Sequence, residues 1–412
     1  MDGVKIKTFL QDQFQNYVRD LEILTNIDSG NGDPVGTDQA AKFVGGKILE
    51  LGGALDYRTN ERSTHLIARI KGKGKFRLLM IGHIDTVFKK GEAAKRPFRM
   101  DENKIAYGPG VGDDKATVIQ TIYAVKALKE FGVDNFGEII LYYNGEEEGG
   151  SPTAEAIVAE LAQQADMAVL MDTARPDWGI VTQRKGSANY EINVSGISGH
   201  AGNAPHESAS AIMELGNQIS LLYRLASPLP QNPQDFTMEK LKERGIQDHG
   251  QFIPPNCINV GVIGSANDRI NVIPADAFAK LNVRCYTVAE QERIDSAIRG
   301  LAGQTVVPGT KVTVTGGIHT GPMEKTPAVQ KLVDIYKEIV RREYGADVVE
   351  WLAGGITDGN RTAKFIPTID ALGVENYEEH TDHEYVDLNT VVPRTVALVL
   401  LMAEVTEKWP AF

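Results

Sequence analysis

Histidine and acidic residues follow three of the apolar runs in this sequence. Each run is typical of a strand buried on both faces of a parallel sheet, and ligands bind in such sheets at the carboxyl ends of the strands. The runs, each with the residues that follow it, are 76–81 with His83 and Asp85, 138–143 with Glu146, Glu147 and Glu148, and 167–171 with Asp172. Imidazole and carboxylate ligands without thiolate suit zinc, cobalt or manganese. This pattern therefore indicates a metal site.

Two further clusters carry the same residue types. A glycine-rich stretch at 107–112 leads through Asp113 and Asp114 into a predicted helix, and His380 follows a predicted strand at 368–372. Each cluster alone has a structural explanation, since acids favour helix N-termini and charge runs favour water. Together, five clusters favour a metal centre, and a carboxylate shared between two ions would make that centre co-catalytic.

The spacing of residues within two of the clusters suggests that they have different roles. His83 and Asp85 are two residues apart, so both side chains can lie on the same face of an extended chain. A metal-binding histidine often donates its other ring N–H to a carboxylate, although a purely structural His–Asp hydrogen bond would look the same. Among residues 146–148, a cation could neutralise one glutamate and leave another as a base.

Strands alternate with helices before residue 187 and after residue 317, which predicts a doubly wound α/β sheet. Between them, residues 188–316 follow the order strand, helix, two strands, helix, strand, as in a ferredoxin-like α+β unit. We therefore predict a first domain of residues 1–187 and 317–412 with a second domain inserted into it. Five prolines cluster between 227 and 255, in a long loop of the inserted domain.

Composition excludes several classes of partner. The 412 residues carry a formal net charge of −12 without a basic run, so neither nucleic acid nor a membrane surface is expected to bind. Two cysteines, Cys257 and Cys285, are too few for a disulfide framework. The chain has no signal-peptide pattern and no apolar stretch long enough to span a bilayer, so we expect a cytoplasmic protein.

In their order along the chain, these motifs resemble those of the M20 metallopeptidases. The resemblance covers essentially the whole chain, and the spacing is most similar to the glutamate carboxypeptidase branch. The motifs are GHIDT at 82–86, YGPGVGDDK at 107–115, NGEEEGGS at 144–151, GHAGNAP at 199–205 and HTDHE at 380–384. The resemblance implies a catalytic domain with a mixed sheet, an inserted lid and dimerisation domain, and two Zn²⁺ ions per subunit, which Co²⁺ or Mn²⁺ could replace.

The resemblance also implies a role for each residue of the metal cluster. Asp113 would bridge both ions. His83 and Asp172 would complete one metal site. Glu148 and His380 would complete the other.

Two more residues of the first domain receive roles from the same resemblance. Asp85 would orient His83. Glu147 would be the general base, taking a proton from a water held between the ions and passing it to the leaving amine. The Asp113–Asp114 peptide bond would be cis. The remaining histidines match no ligand position and are interpreted as surface or structural residues: His65, His206, His249, His319 and His383.

Four residues are implied to contact the substrate. His200 would reach the active site of a partner subunit in a homodimer formed by the lid, and would stabilise the oxyanion. Asn271 and Arg284 would bind a substrate carboxylate, which suits a guanidinium fork. Gly355 belongs to a glycine-rich loop facing the substrate backbone. Without the resemblance, an ordinary loop histidine and a surface salt bridge would explain His200 and Arg284.

The implied activity is hydrolysis of the amide bond next to a C-terminal amino acid, in a small peptide or an N-acyl amino acid. Position 172 carries Asp, where that branch usually carries Glu, and Asp is more similar to dipeptidases and aminopeptidases that need a free amine. An N-acyl amino acid deacylase is a third alternative. A non-catalytic binding protein would predict a missing ligand or base, and the sequence lacks neither.

Overall fold

The structure is a computed structural model that describes residues 1–226 and 256–408. These residues form two compact units, which are described separately. The first unit consists of three segments and the second of two: residues 1–182, 325–351 and 357 onward, and residues 183–324 and 352–356. Residues 352–356 fall within the predicted first domain, but in the structure they group with the second unit. The proline-rich stretch at 227–255 lies outside the described residues.

Helices and strands alternate along the first segment, which confirms the predicted α/β class. In chain order they are α1 (Gly3–Thr25), α2 (Pro34–Glu50), β1 (Ala54–Thr59), β2 (Thr64–Lys71), β3 (Arg77–His83), α3 (Glu92–Lys95), β4 (Arg99–Met100), β5 (Ile105–Tyr107), α4 (Ala116–Glu130), β6 (Glu138–Asn144), α5 (Ala154–Ala162), β7 (Met167–Leu170) and β8 (Ile180–Arg184). The last of these strands continues into the second unit.

The second unit contributes the next elements in chain order. They are β9 (Gly186–Ser195), β10 (Gly199–His200), α6 (Ala211–Leu225), β11 (Asn256–Gly264), β12 (Val272–Ile273), β13 (Asp276–Cys285), α7 (Val288–Gly300) and β14 (Lys311–Thr320). The remaining elements are α8 (Pro327–Tyr344), β15 (Glu350–Ala353), α9 (Asp358–Thr362), β16 (Thr368–Ile369), β17 (Asn376–Tyr377), β18 (Tyr385–Asp387) and α10 (Val391–Lys408). They belong to the first unit, except that β15 ends in the second.

A six-stranded mixed sheet forms the centre of the first unit, in the order β1-β2-β6-β3-β7-β16. The strands β6, β3, β7 and β16 run parallel, whereas at one edge β2 pairs antiparallel with β6 and β1 pairs antiparallel with β2. Alternate residues of β3 enter different apolar clusters: Leu78 and Met80 pack on one face of the sheet, and Leu79 and Ile81 on the other. Both faces are therefore buried, as the continuous apolar run at 76–81 predicts.

Local signals explain where two helices begin. Asp33 caps α2, since its carboxylate accepts hydrogen bonds from the N–H groups of Val35 and Gly36, and Pro34 follows at the first helical position. The closing helix α10 begins at Val391, and Pro393 lies in its first turn. Proline is tolerated there because the first turn of a helix makes no use of its N–H groups within the helix.

The second unit contains a four-stranded antiparallel sheet in the order β11-β13-β9-β14. Its core includes Ile192 of β9 and Leu281 of β13, and these side chains pack with Leu215 of α6 and Ile294 of α7. The order of these elements agrees with the ferredoxin-like pattern predicted for the inserted domain. In the described part of the chain, no helix is both long and apolar enough to cross a membrane.

Candidate active site

The parallel strands of the first unit end together beside the predicted metal ligands. His83 is the last residue of β3, the glutamates at 146–148 follow β6, and Asp172 follows β7. Asp113 lies in the turn at Val111–Lys115 that leads into α4. The peptide bond between Asp113 and Asp114 is cis, as the resemblance implies.

Asp113 lies between two histidines. Its Oδ1 atom is 2.9 Å from Nε2 of His83, and its Oδ2 atom is 3.1 Å from Nε2 of His380. Nε2 of His380 is also 3.2 Å from Oε2 of Glu148. Ligand atoms of Asp113, Glu148 and His380 all lie within 4.8 Å of one another. A carboxylate with one imidazole at each oxygen has the arrangement needed to bridge two cations.

A small cavity of about 20 Å³ brings other predicted residues to the same place. Its lining includes His83, Glu147 and Asp172, together with Asp114 and Asp358. Burial raises the pKa of Glu147 well above its ordinary value, and the nearby carboxylates of Asp358 and Asp172 add to this shift. Such a concentration of buried negative charge is costly unless a cation neutralises it. The donor set therefore fits bound divalent metal ions.

Hydrogen bonds to Asp113 favour the protonated form of both histidines. The hydrogen bond between Asp113 and His380 raises the pKa of His380 to about 9. Burial opposes protonation of His83, but hydrogen bonds to Asp113 and Asp85 raise its pKa well above the ordinary value. Burial raises the pKa of Glu148 to about 7. In the metal-free chain, protons on these groups thus balance part of the negative charge. Bound cations would take over that role, because metal ligands bind in their deprotonated form.

Asp85 contacts more of the site than the resemblance implies. Nδ1 of His83 lies 3.1 Å from the backbone carbonyl oxygen of Asp85 and 3.5 Å from its Oδ1 atom. The Asp85 carboxylate accepts hydrogen bonds from the backbone N–H groups of Glu147, at 2.9 Å, and Glu148, at 3.1 Å. The side chain of Asn31 donates a third, at 3.1 Å. Asp85 therefore positions the glutamate loop as well as His83.

The predicted substrate residues lie in the second unit. His200 ends β10, which pairs with β12 so that His200 faces Val272, and the Ala201 N–H donates to the carbonyl oxygen of Asn271. His200 and Asn271 are exposed. Nδ1 of His200 accepts hydrogen bonds from the N–H groups of Gly202 and Asn203, both at 3.2 Å. Because Nδ1 is an acceptor, a neutral His200 carries its proton on Nε2.

Arg284 and Gly355 occupy other parts of the same unit. Arg284 is half-buried on β13, and its Nε donates to Oδ1 of Asn282 at 3.0 Å, which orients the guanidinium group. Gly355 is exposed, in the segment 352–356. Within this unit, His200 and Asn271 are therefore neighbours, whereas Arg284 lies on a different strand.

Sequence reasoning missed several residues that form hydrogen bonds around the predicted metal ligands. The Asp114 carboxylate accepts a hydrogen bond from the backbone N–H of His83 at 3.1 Å. His65 is buried, and its Nδ1 accepts from the N–H of Gly145, just before the glutamates. Glu384 and Lys115 are buried beside the turn that contains Asp113. Three of the four stand in recognised motifs, but their types and spacing did not distinguish them from caps or surface charges.

Comparison with known proteins identifies relatives of this chain. The family model described as "Peptidase family M20/M25/M40" matches residues 79–404. Carboxypeptidase G2 from Pseudomonas sp. (strain RS-16) is 31% identical over 400 residues, which cover 93% of this chain and 88% of that protein. Succinyl-diaminopimelate desuccinylase from Ehrlichia canis (strain Jake) is 25% identical over 345 residues, covering 79% of this chain and 81% of the relative.

Solved structures with the same fold include enzymes of several kinds. Aminopeptidase PepT from Bacillus cereus ATCC 10987 superimposes with a TM-score of 0.74 at 19% identity, covering 95% of this chain and 98% of that one. An M20 family metallo-carboxypeptidase from Sulfolobus solfataricus gives 0.65 at 18% identity, covering 94% and 99%. At such low identities, the likeness shows the fold alone.

Proposed function

From the membership of this chain in peptidase family M20/M25/M40, which makes it a hydrolase, we propose a more specific activity. The chain would be a dinuclear zinc enzyme that cleaves the amide bond next to a C-terminal amino acid. The observation that carries the proposal is the placement of Asp113, with one histidine Nε2 atom within about 3 Å of each carboxylate oxygen. His83 and Asp172 would hold one ion. Glu148 and His380 would hold the other.

When bound, the metal ions would polarise the substrate carbonyl and lower the pKa of a water molecule. Glu147 would act on that water. Glu147 lines the same cavity as His83, and its backbone N–H donates to the Asp85 carboxylate at 2.9 Å. Burial favours uptake of a proton by Glu147, so it can accept one from the water and deliver it to the departing amine nitrogen.

His200 would stabilise the negative charge that develops on the carbonyl oxygen. The two N–H groups that donate to its Nδ1 atom leave Nε2 as the protonated nitrogen, so a neutral imidazole can donate a hydrogen bond to the oxyanion. We propose, from the resemblance, that this donor acts on the substrate of a partner subunit in a homodimer formed by the second unit. Sedimentation that showed a monomer at micromolar concentrations would contradict this part of the proposal.

Recognition of the substrate carboxylate would fall to Arg284 and Asn271. A guanidinium group can bind a carboxylate through two parallel hydrogen bonds, and the contact with Asn282 limits its rotation. Gly355 would leave room for the substrate backbone. Carboxypeptidase G2 matches this chain over most of both sequences. This match supports a substrate that is a small peptide or an N-acyl amino acid with a free C-terminal carboxylate.

Asp172 supports a second candidate function. The carboxypeptidase branch usually carries Glu at this position, whereas Asp is similar to dipeptidases and aminopeptidases. If that similarity extends to the substrate, the enzyme would need a free amine instead of a free carboxylate. An N-acyl amino acid deacylase would use the same metal cluster and would need the acyl group.

The metal centre can be tested by titrating the chelator-treated chain with Zn²⁺ while hydrolysis of an N-acyl amino acid is followed. We expect activity to rise until two ions are bound per chain. Saturation at one ion per chain would contradict the bridging role of Asp113. Full activity in the metal-free chain would overturn the proposal.

A further inference from the structure

The turn that presents Asp113 is held by a buried carboxylate from a distant part of the chain. Oε1 of Glu384 accepts hydrogen bonds from the backbone N–H groups of Gly112, at 2.9 Å, and Asp113, at 3.0 Å. Oε2 accepts one from Gly110, also at 2.9 Å. Glu384 is only 1% exposed. Burial of an ionised carboxylate is costly unless hydrogen bonds offset the loss of water. Three such bonds to one short segment therefore fix the backbone conformation of that segment.

A buried cation holds the other polar side of the same segment. Nζ of Lys115 donates to the carbonyl oxygen of Pro109 at 3.3 Å, and also to those of Ile27 at 2.9 Å and Thr25 at 3.4 Å. Lys115 is likewise 1% exposed. The segment from 109 to 113 is therefore contacted through its N–H groups by Glu384 and through a carbonyl group by Lys115.

Packing leaves this segment little freedom to take another path. A Cβ atom on Gly112 would lie 2.6 Å from Cγ of Asn376, so any larger residue would displace either the Asn376 side chain or the backbone of the segment. An aspartate side chain is short, and the backbone therefore largely determines where its two oxygens lie. One of the three N–H groups bound by Glu384 belongs to Asp113 itself.

We infer that Glu384 and Lys115 are positioning residues that hold the segment 109–113 so that each oxygen of Asp113 faces its own histidine. Among the described residues, the hydrogen bonds of both side chains go to backbone groups, so both would act through the backbone. The inference rests on the proposed metal-binding role of Asp113. It means that two residues outside the predicted ligand set determine how tightly the site binds zinc, in addition to any effect on stability.

The test compares two buried carboxylates that both accept backbone hydrogen bonds. Glu384→Gln keeps the size of the side chain, but its amide group cannot accept from all three N–H groups. Glu214→Gln is the matched control, because buried Glu214 accepts from the N–H groups of Val306 and Val307, both at 2.8 Å, in the second unit. Zinc affinity is measured on the full chain by competition with a chromophoric chelator, and the absorption spectrum of the Co²⁺-loaded chain reports ligand geometry.

We expect Glu384→Gln to weaken zinc binding about 10- to 100-fold and to change the Co²⁺ spectrum, as loss of partners around metal ligands typically does. Glu214→Gln should lower the melting temperature while zinc affinity stays within about twofold. Lys115→Met should weaken zinc binding in the same direction as Glu384→Gln. If Glu384→Gln does not fold, Glu384→Asp keeps the charge but is too short to reach all three N–H groups, and it should also weaken zinc binding.

Equal zinc affinity and an unchanged Co²⁺ spectrum in folded Glu384→Gln or Glu384→Asp would overturn the inference, even if both variants were less stable. Failure of the unsubstituted chain to bind zinc would overturn it together with the proposed metal centre. Because affinity is measured without turnover, a chain that binds zinc but cleaves no amide would contradict the proposed function alone.

Discussion

The two groups of candidate functional residues differ in how the chain supports them. In the first unit, His83 and Asp113 are buried, and the carboxylates of Asp85 and Glu384 accept hydrogen bonds from the surrounding backbone N–H groups. In the second unit, His200 and Asn271 are exposed. The proposed ligands Asp113, Glu148 and His380 lie close together within the first unit, whereas the proposed substrate residues of the second unit would act only on a bound substrate. This difference predicts separable effects: first-unit changes should affect metal binding and chemistry, and lid changes should affect turnover or substrate binding with metal retained.

Removal of the metal should have the largest effect. A chelator should reduce amide hydrolysis to the uncatalysed rate, because the ions would supply both the charge that neutralises the carboxylates and the activation of the water. Activity is measured before and after reloading with Zn²⁺. Recovery on reloading is the control against unfolding, and substantial hydrolysis by the metal-free chain would contradict the role of the first unit.

Glu147→Gln should have the next largest effect. We expect turnover to fall about 10²- to 10⁴-fold, as for loss of a general base, while two zinc ions still bind. Steady-state kinetics and metal analysis measure the two quantities. Glu160→Gln removes a carboxylate from an exposed ion pair and should change neither. If Glu147→Gln kept full activity, Glu147 would not be the base.

His200→Ala should lower kcat about 10²- to 10³-fold through loss of an oxyanion donor, with zinc affinity unchanged. The neighbouring exposed His206 provides the control, since His206→Ala should leave kcat unchanged. This pair sharpens the contrast between the units. A loss of zinc affinity in His200→Ala would break it, because a lid residue would then belong to the metal centre.

Arg284→Lys should have the smallest effect of the four. We expect KM to rise about 10- to 100-fold with a smaller change in kcat, because an ammonium group cannot reproduce two parallel hydrogen bonds to a carboxylate. The measurement is KM for an N-acyl amino acid and for its C-terminal amide. A larger fall in kcat than rise in KM would place Arg284 closer to the chemistry than proposed.

Much of the first unit could be predicted because its signals are local. The apolar runs at 76–81, 138–143 and 167–171 identify β3, β6 and β7, and the residues after them lie at one edge of the sheet. The edge strands β1 and β2 were missed, since their pattern is neither a continuous apolar run nor a clean alternation.

The hydrogen bonds around the proposed metal ligands could not be predicted, because they depend on contacts between distant positions. Glu384 and Gly112 are 272 residues apart, and no local pattern links a carboxylate to backbone N–H groups so far away. The lid residues present a different difficulty. Arg284 alternates with apolar neighbours on a strand, so its type and position fit a surface ion pair as well as a substrate contact.

The most direct test of the proposed function is a mass-spectrometric cleavage assay on the zinc-loaded chain, with the chelated chain as control. The substrates are an N-acetylated dipeptide with a free carboxylate, its C-terminal amide, and the unblocked dipeptide. We expect the N-acetylated dipeptide to be cleaved next to its C-terminal residue, and its amide to react about a hundredfold more slowly because Arg284 loses a charged partner. Cleavage only of the unblocked dipeptide would contradict this specificity and would indicate the free-amine enzyme that Asp172 suggests.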